Sequence, residues 1–253
     1  VTLIEEYERQ NGWREWERYL DRLPLKPGQT VFDLGCATGA VTRLLARRAG
    51  KAVGFDNNAL LLDEARRRRT ENVTFISGDI GAAQTATREK CDGIWISFAL
   101  AYMGEPEAFI SNWMTRLKDG GWFAAADIDG LFSGHLPKDS GYRANTERFE
   151  AQSESSRTYD FRIGRKIKRL MACCGLDIIV EENDWRDREL NFVGAAPPEI
   201  ARSWEARLDR MVSLKAHFGA RYGDFCREFL QAITRESHAS HGCVRYVVGI
   251  KTS

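Results

Sequence analysis

Two hydrophobic periods alternate along this chain. Between residues 3 and 22, Leu3, Tyr7, Trp13, Trp16 and Leu20 recur at mostly helical spacings with Glu and Arg between them, predicting an amphipathic helix. Pro24, Pro27 and Gly28 end it. From residue 30 onward, short apolar runs alternate with helix-period segments. Residues 30–34, 51–55, 73–76, 93–97 and 122–127 read as strands. The intervening stretches 40–49, 58–69 and 105–117 read as helices, the second capped by Asn57 or Asn58 and the third opened by Pro106. Residues 128–159 are mostly polar, contain Gly and show no clear period, which predicts a long loop. A helix over 162–174, a strand over 176–182, a helical pair over 197–235 and a strand over 243–251 complete the pattern.

Strands alternating with helices predict an α/β fold, a doubly wound and mostly parallel sheet of seven strands with helices on both faces and right-handed crossovers. The expected organisation is one unit over 1–253: an N-terminal helical cap (1–28), a core (29–190), a helical cap insertion (191–240) and the last strand (241–253).

Composition narrows the partners. A hydrophobic fraction of 43% can fill a core, and 29% charged residues balance to a net charge of only +1. Such a balance gives no field directed at nucleic acid or an anionic membrane. No uncharged apolar run approaches the roughly 18–20 residues of a spanning helix, so no membrane insertion is expected. Glu5, Glu6, Glu8 and Arg9 among the first residues argue against a secretory leader. The six cysteines, at 36, 91, 173, 174, 226 and 243, form no C-x-x-C pair and no zinc-type spacing. Free thiols in a reducing cytoplasm are the expectation, with no metal site and a monomeric or homodimeric state.

In a parallel open sheet, ligands bind beyond the carboxyl ends of the strands. The residues just after the strands are chemically coherent. Asp33-x-Gly35-Cys36-Ala37-x-Gly39 makes a turn of little bulk, where the glycines let backbone approach a ligand and Asp33 can order the loop. Asp56 closes the second strand 21 positions after Gly35, about the spacing at which an acid meets a ribose diol. Asp79 follows the third strand, where a carboxylate can accept from an exocyclic amine. Three acids at three successive strand ends describe a nucleoside site.

These segments carry a resemblance. Val31-Phe32-Asp33-Leu34-Gly35-Cys36-Ala37-Thr38-Gly39 resembles the glycine-rich motif of class I S-adenosylmethionine (SAM)-dependent methyltransferases, with Ala37 where glycine is commoner. Val53–Asp56 resembles their acidic second motif, Ser77–Ile80 their third, and Leu117-Lys118-Asp119-Gly120-Gly121 the element before their fifth strand. The stretch Ile163-Gly164-Arg165 before Cys174-Gly175-Leu176 is more loosely similar to the ubiquinone/menaquinone-type and natural-product subgroup. The resemblance implies a Rossmann-like fold and SAM as cofactor, with S-adenosylhomocysteine as product. It implies that Gly35 and Ala37 line the methionine part, Asp56 holds the ribose, Asp79 and Ile80 contact adenine, and Ser97 and Phe98 face the sulfonium. A nicotinamide fingerprint is only marginally excluded by G-x-A-x-G, and the later motifs decide the matter.

The candidate cofactor-binding set is therefore Tyr7, Asp33, Gly35, Cys36, Ala37, Gly39, Asp56, Asn57, Asp79, Ile80, Ser97 and Phe98. Tyr7, Trp13, Trp16 and Phe98 offer aromatic faces to a cation, although Trp13 and Trp16 read foremost as core. For a hydroxyl or amine acceptor, His135 is the candidate catalytic base, and Asp127 can shape the acceptor pocket. Ser97-Phe98-Ala99-Leu100 is unlike the Asn-Pro-Pro-Tyr type of tetrad, which disfavours amide or adenine methylation. A small organic acceptor is the leading expectation. The alternatives are an RNA methyltransferase, suggested by the Arg66–Arg69 run, and a SAM-binding regulatory module that transfers nothing.

Overall fold

A computed structural model describes residues 2–81 and 86–252. Two short N-terminal helices, α1 (Leu3–Trp13) and α2 (Trp16–Leu20), precede the sheet. Strands and helices then alternate: β1 (Gln29–Leu34), α3 (Ala40–Ala49), β2 (Gly50–Asp56), α4 (Ala59–Arg67), β3 (Val73–Ser77), β4 (Cys91–Ser97), α5 (Pro106–Met114) and β5 (Leu117–Asp129). Helix α6 (Arg143–Ser155), helix α7 (Ile167–Cys173) and strand β6 (Leu176–Trp185) follow. Three helices, α8 (Pro198–Arg210), α9 (Val212–Phe218) and α10 (Tyr222–Ile233), lie between β6 and β7 (Cys243–Lys251).

The strands form one seven-stranded sheet in the order β3-β2-β1-β4-β5-β7-β6. Pairs among β1 to β5 are parallel, and β7 runs antiparallel between β5 and β6. The order reverses between β1 and β4. Central strands are apolar on both faces because helices cover both. Along β4, Trp95 enters one core with Trp16, Tyr19 and Tyr246, while Ile94 and Ile96 enter the other with Trp113 and Phe123.

Register decides where the site lies. Leu34 pairs with Phe55 and Ile96, Asp56 with Ser77, and Ser97 with Ala126. The residues that follow, from Gly35 to Asp127, therefore emerge in one row along the carboxyl edge.

The single helix expected over 3–22 is broken. Arg14 is extended (φ −86°, ψ 131°), and its guanidinium reaches Asp187 beyond β6. The expected loop over 128–159 contains α6, which buries only Thr146, Phe149 and Glu150 and so lacks an apolar stripe to announce it. The fifth strand begins five residues earlier than its apolar run, because Gly120 (φ +73°) and Gly121 sit within it rather than before it. The expected helical pair is three helices.

Gly93 lies in β4 directly beneath an indole: a Cβ built there would stand 2.1 Å from Trp122 Cε2. Gly93→Ala should therefore destabilise the protein by about 3 kcal/mol, the upper part of the range for overpacking a core. Urea unfolding followed by tryptophan fluorescence checks it; an unchanged midpoint would refute the packing described.

Candidate functional site

The turn after β1 is built by backbone. The amides of Gly35 and Cys36 both donate to the Phe55 carbonyl, at 2.8 and 3.0 Å, tying the turn to the end of β2. Gly35, Ala37 and Gly39 all have positive φ, at 76°, 46° and 72°. Two of them need glycine twice over: a Cβ on Gly35 would meet Ala99 Cβ at 2.8 Å, and one on Gly39 the Phe75 ring at 2.4 Å. Ala37 holds the left-handed region with a side chain, at a cost of about 1 kcal/mol.

That residue is held by Asp56. Oδ2 of Asp56 accepts from the Ala37 amide at 2.8 Å, and Oδ1 from the Asn58 amide at 2.9 Å. Each oxygen keeps a lone pair, and the residue is half-buried, so the carboxylate can still receive two hydroxyls. Asn58 in turn caps α4 through the Leu61 amide, which settles the choice between Asn57 and Asn58; Asn57 is exposed. Asp79 is also exposed, with Oδ1 accepting from the Gly81 amide at 2.8 Å. Ile80 is buried beside it, its carbonyl accepting from Trp113 Nε1 at 2.8 Å.

Asp33 and Cys36 lie beneath the turn. Asp33 accepts from the Thr42 hydroxyl at 2.5 Å, and burial pushes its carboxyl up to about 7. Cys36 packs under Gly54, and burial raises its thiol well above the usual range. These two shape the loop from inside.

Across the reversal point, Ser97 Oγ accepts from Trp95 Nε1 at 3.2 Å, and Phe98 leaves β4 with φ +52°. An aromatic residue held in that region is strained, and such strain concentrates at ligand sites. Two contacts hold it: the Phe98 amide donates to Ala126 at 2.8 Å, and the Arg14 guanidinium lies 4.1 Å from its ring centroid. Helix α1 crosses above, with Asn11 Nδ2 donating to Thr38 at 3.3 Å and Asn11 Oδ1 accepting from Trp16 Nε1. Burial, then the nearness of Tyr102 and Asp56, pushes the Tyr7 phenol up to about 12.

Sequence reasoning missed several neighbours. Tyr102 and Tyr159 meet edge to face at 4.7 Å; Tyr102 is 62% exposed, and desolvation raises the Tyr159 phenol. Arg14 donates to Asp187 at 3.1 Å, and Arg207 to Glu189 at 3.0 Å, both carboxylates being 2% exposed. The only signal was the acid pair Asp187-x-Glu189 just after β6, in a stretch that reads as solvated surface.

His135 stands apart from this group. It is 1% exposed, packed among Phe192, Trp204 and Phe229, with Nδ1 3.1 Å from His238 Nε2. Burial, then His238, holds it down to about 3, so it is neutral. Asp127 is fully buried at the end of β5, accepting from the Ala101 and Ile128 amides; burial pushes it up to about 7. Among the described residues no cluster of His, Cys, Asp or Glu could hold a metal ion, and no helix is long and apolar enough to cross a membrane.

A raised carboxyl is a stability cost that grows with pH. Folded Asp127 keeps its proton up to about 7, whereas the unfolded residue releases it near its usual 3.8, so its contribution falls as pH rises through that window. The melting temperature of Asp127→Asn relative to wild type should therefore climb by several degrees from pH 4 to pH 8. A constant difference in a buffered thermal-denaturation series would refute the assignment.

Comparison with known proteins gives this architecture a family. A family model described as a methyltransferase domain matches residues 25–191. Trans-aconitate 2-methyltransferase of Paracidovorax citrulli is 34% identical over 107 residues, 42% of this chain and 41% of that protein. Demethylmenaquinone methyltransferase of Renibacterium salmoninarum is 30% identical over 116 residues, 46% of this chain and 48% of that protein. The chain thus spans less than half the length of these two curated relatives. Haemonchus contortus phosphoethanolamine N-methyltransferase 2, solved with phosphomonomethylethanolamine and S-adenosylhomocysteine, shares the fold with a TM-score of 0.60 at 20% identity, over 99% of this chain and 57% of that one. With its reversal point between β1 and β4 and its left-handed turn over Asp56, the chain belongs to the methyltransferase-domain family, on the class I Rossmann-like fold.

Proposed function

We propose that this protein binds SAM over the ends of β1, β2 and β3 and transfers its methyl group to a small organic acceptor above the ends of β4 and β5. The observation that carries the reading is Asp56: one half-buried carboxylate pins the turn at Ala37 and keeps lone pairs toward the space where a ribose diol belongs. Bound there, SAM supplies an electrophilic methyl on a sulfonium and departs as S-adenosylhomocysteine.

The chain's own residues have three tasks. Asp56 orients the nucleoside by accepting its hydroxyls, while the amides and small residues from Gly35 to Gly39 admit the amino-acid part at close range. The exposed Asp79 receives the exocyclic amine, and Ile80 offers an apolar edge to the base. Tyr7 and Phe98 present aromatic faces near the sulfonium. Because the leaving group is already good, catalysis rests on aligning acceptor and methyl and excluding water. Tyr7 and Tyr159 remain protonated at neutral pH, since burial raises both, and with the more exposed Tyr102 they serve as hydrogen-bond donors to the acceptor. His135 lies in the base of the cap, neutral and stacked on His238, and we assign it to packing rather than proton transfer.

A small acceptor under a helical cap agrees with the near-neutral charge, which offers RNA no basic groove. Six cysteines without a disulfide suit a cytoplasmic setting.

Calorimetry with SAM and S-adenosylhomocysteine tests the cofactor half. Wild type should bind both, and Asp56→Ala should weaken each by about 10- to 100-fold, the loss of hydrogen bonds to a charged group. No binding to wild type would sink the reading. His135→Ala should lower the melting temperature while leaving the pH profile of turnover in place; a profile that loses its acidic limb would restore His135 as the base.

A further inference from the structure

Arg14 is an unusual cation. Its side chain is only 10% exposed, yet it makes a single side-chain hydrogen bond, from Nε to Asp187 Oδ2 at 3.1 Å. Its Nη2 stops 3.9 Å short of Glu189 Oε2, beyond hydrogen-bond reach. Glu189 is already held by Ser203 and Arg207, at 2.8 and 3.0 Å, and its Oε2 is buried without a partner. The two terminal nitrogens of Arg14 donate to nothing among the described residues, and neither is sealed from accessible space. A guanidinium closing on Glu189 would be about an ångström nearer. This one is held off, with its fork unspent.

Arg14 also lines a cavity of 680 Å³, of the size that holds small ligands, with Trp13, Tyr19 and Phe192 in its wall and Glu15 and Asp187 beside the arginines. On its other side Arg14 covers the ring of Phe98. Arg14 thus stands between this cavity and the row of strand ends. The other charges of the lining are paired: Arg18 with Glu15, Arg186 with Asp184 and Arg188 with Glu199. Arg9 lies against Trp13 of the cavity wall, with Nε buried and unpartnered.

We propose that Arg14 is the specificity-determining residue of the acceptor site, and that the acceptor is a carboxylate on an apolar body. The carboxylate takes the free fork of Arg14, and the reactive end lies along the row of strand ends beside Phe98, above the ends of β4 and β5. The planar fork of a guanidinium matches the two oxygens of a carboxylate in a bidentate pair. This rests on the methyl-transfer reading above, because it names that reaction's acceptor class.

The test uses three probes of one shape: benzoate, benzamide and phenyl phosphate, titrated against tryptophan fluorescence of the full chain with and without S-adenosylhomocysteine. Benzoate should bind at least tenfold tighter than benzamide and tighter than phenyl phosphate. Arg14→Gln should weaken benzoate at least tenfold while leaving benzamide and S-adenosylhomocysteine affinities in place, and Arg14→Lys should recover part of the loss. Equal affinity for benzoate and benzamide in wild type, or an unchanged benzoate affinity in Arg14→Gln, would overturn the assignment, and a preference for phenyl phosphate would overturn the carboxylate. Should Arg14→Gln not fold, Arg14→Gln with Asp187→Asn removes the buried pair together and carries the same expectation. Loss of S-adenosylhomocysteine binding in wild type is a separate result, against methyl transfer itself, and the benzoate comparison without it still decides for or against Arg14.

Discussion

The carboxylate of Asp56 ties together three pieces of chain that have no covalent reason to meet. It ends β2, accepts from Ala37 in the turn after β1, and accepts from Asn58, the residue that caps α4. The turn is costly by itself, because Ala37 holds a left-handed conformation that an L-residue avoids. A charge-assisted hydrogen bond of 2.8 Å offsets that cost, and two amides to the Phe55 carbonyl fix the turn from beneath. The carboxyl edge of the sheet follows from this anchoring: the turn stays open, α3 starts where it does, and the row of strand ends becomes a surface instead of a set of loose loops.

Above that row, order is maintained by a different kind of interaction. Arg14, Asp187, Glu189 and Arg207 connect the N-terminal helices, the end of β6 and α8 through charges almost wholly removed from water. Burial works against the charge on Arg14, yet the neighbouring carboxylates more than compensate and its pKa is raised; for Glu189 the arginines likewise outweigh burial and its pKa is lowered. Such pairs add little net stability, since desolvation consumes most of the attraction, but a broken pair is expensive. Their effect is to specify one arrangement of cap over sheet. The break in the N-terminal helix at Arg14 belongs to this arrangement, because a continuous helix would carry that side chain away from Asp187.

The sheet was legible because its signals are local. Apolar runs bounded by glycine, proline and acids placed β1 to β4 within a residue or two, and the acids Asp56 and Asp79 do follow the ends of β2 and β3. The failures share a cause in distance along the chain. Arg14 and Asp187 are separated by 173 positions, so an arginine amid helix-period residues reads as solvated surface. Helix α6 escaped because its burial rests on Glu150 accepting from Phe132 and Ser133 instead of on an apolar stripe. The enclosure of His135 by aromatic rings is likewise not legible locally, because its sequence neighbourhood reads as a loop.

The pairing of β6 with β7 bears on how this fold can vary. The two strands are antiparallel neighbours, so α8 to α10 are formally the loop of one very long hairpin. The entropic cost of closing a loop rises only with the logarithm of its length, about 0.6 kcal/mol for each doubling. Helices can therefore be added to or removed from this segment with little penalty to the sheet, provided its two ends still meet at the β6–β7 ladder. The helical segment between β6 and β7 is in this sense an exchangeable part, while the row of strand ends is fixed by the strand register.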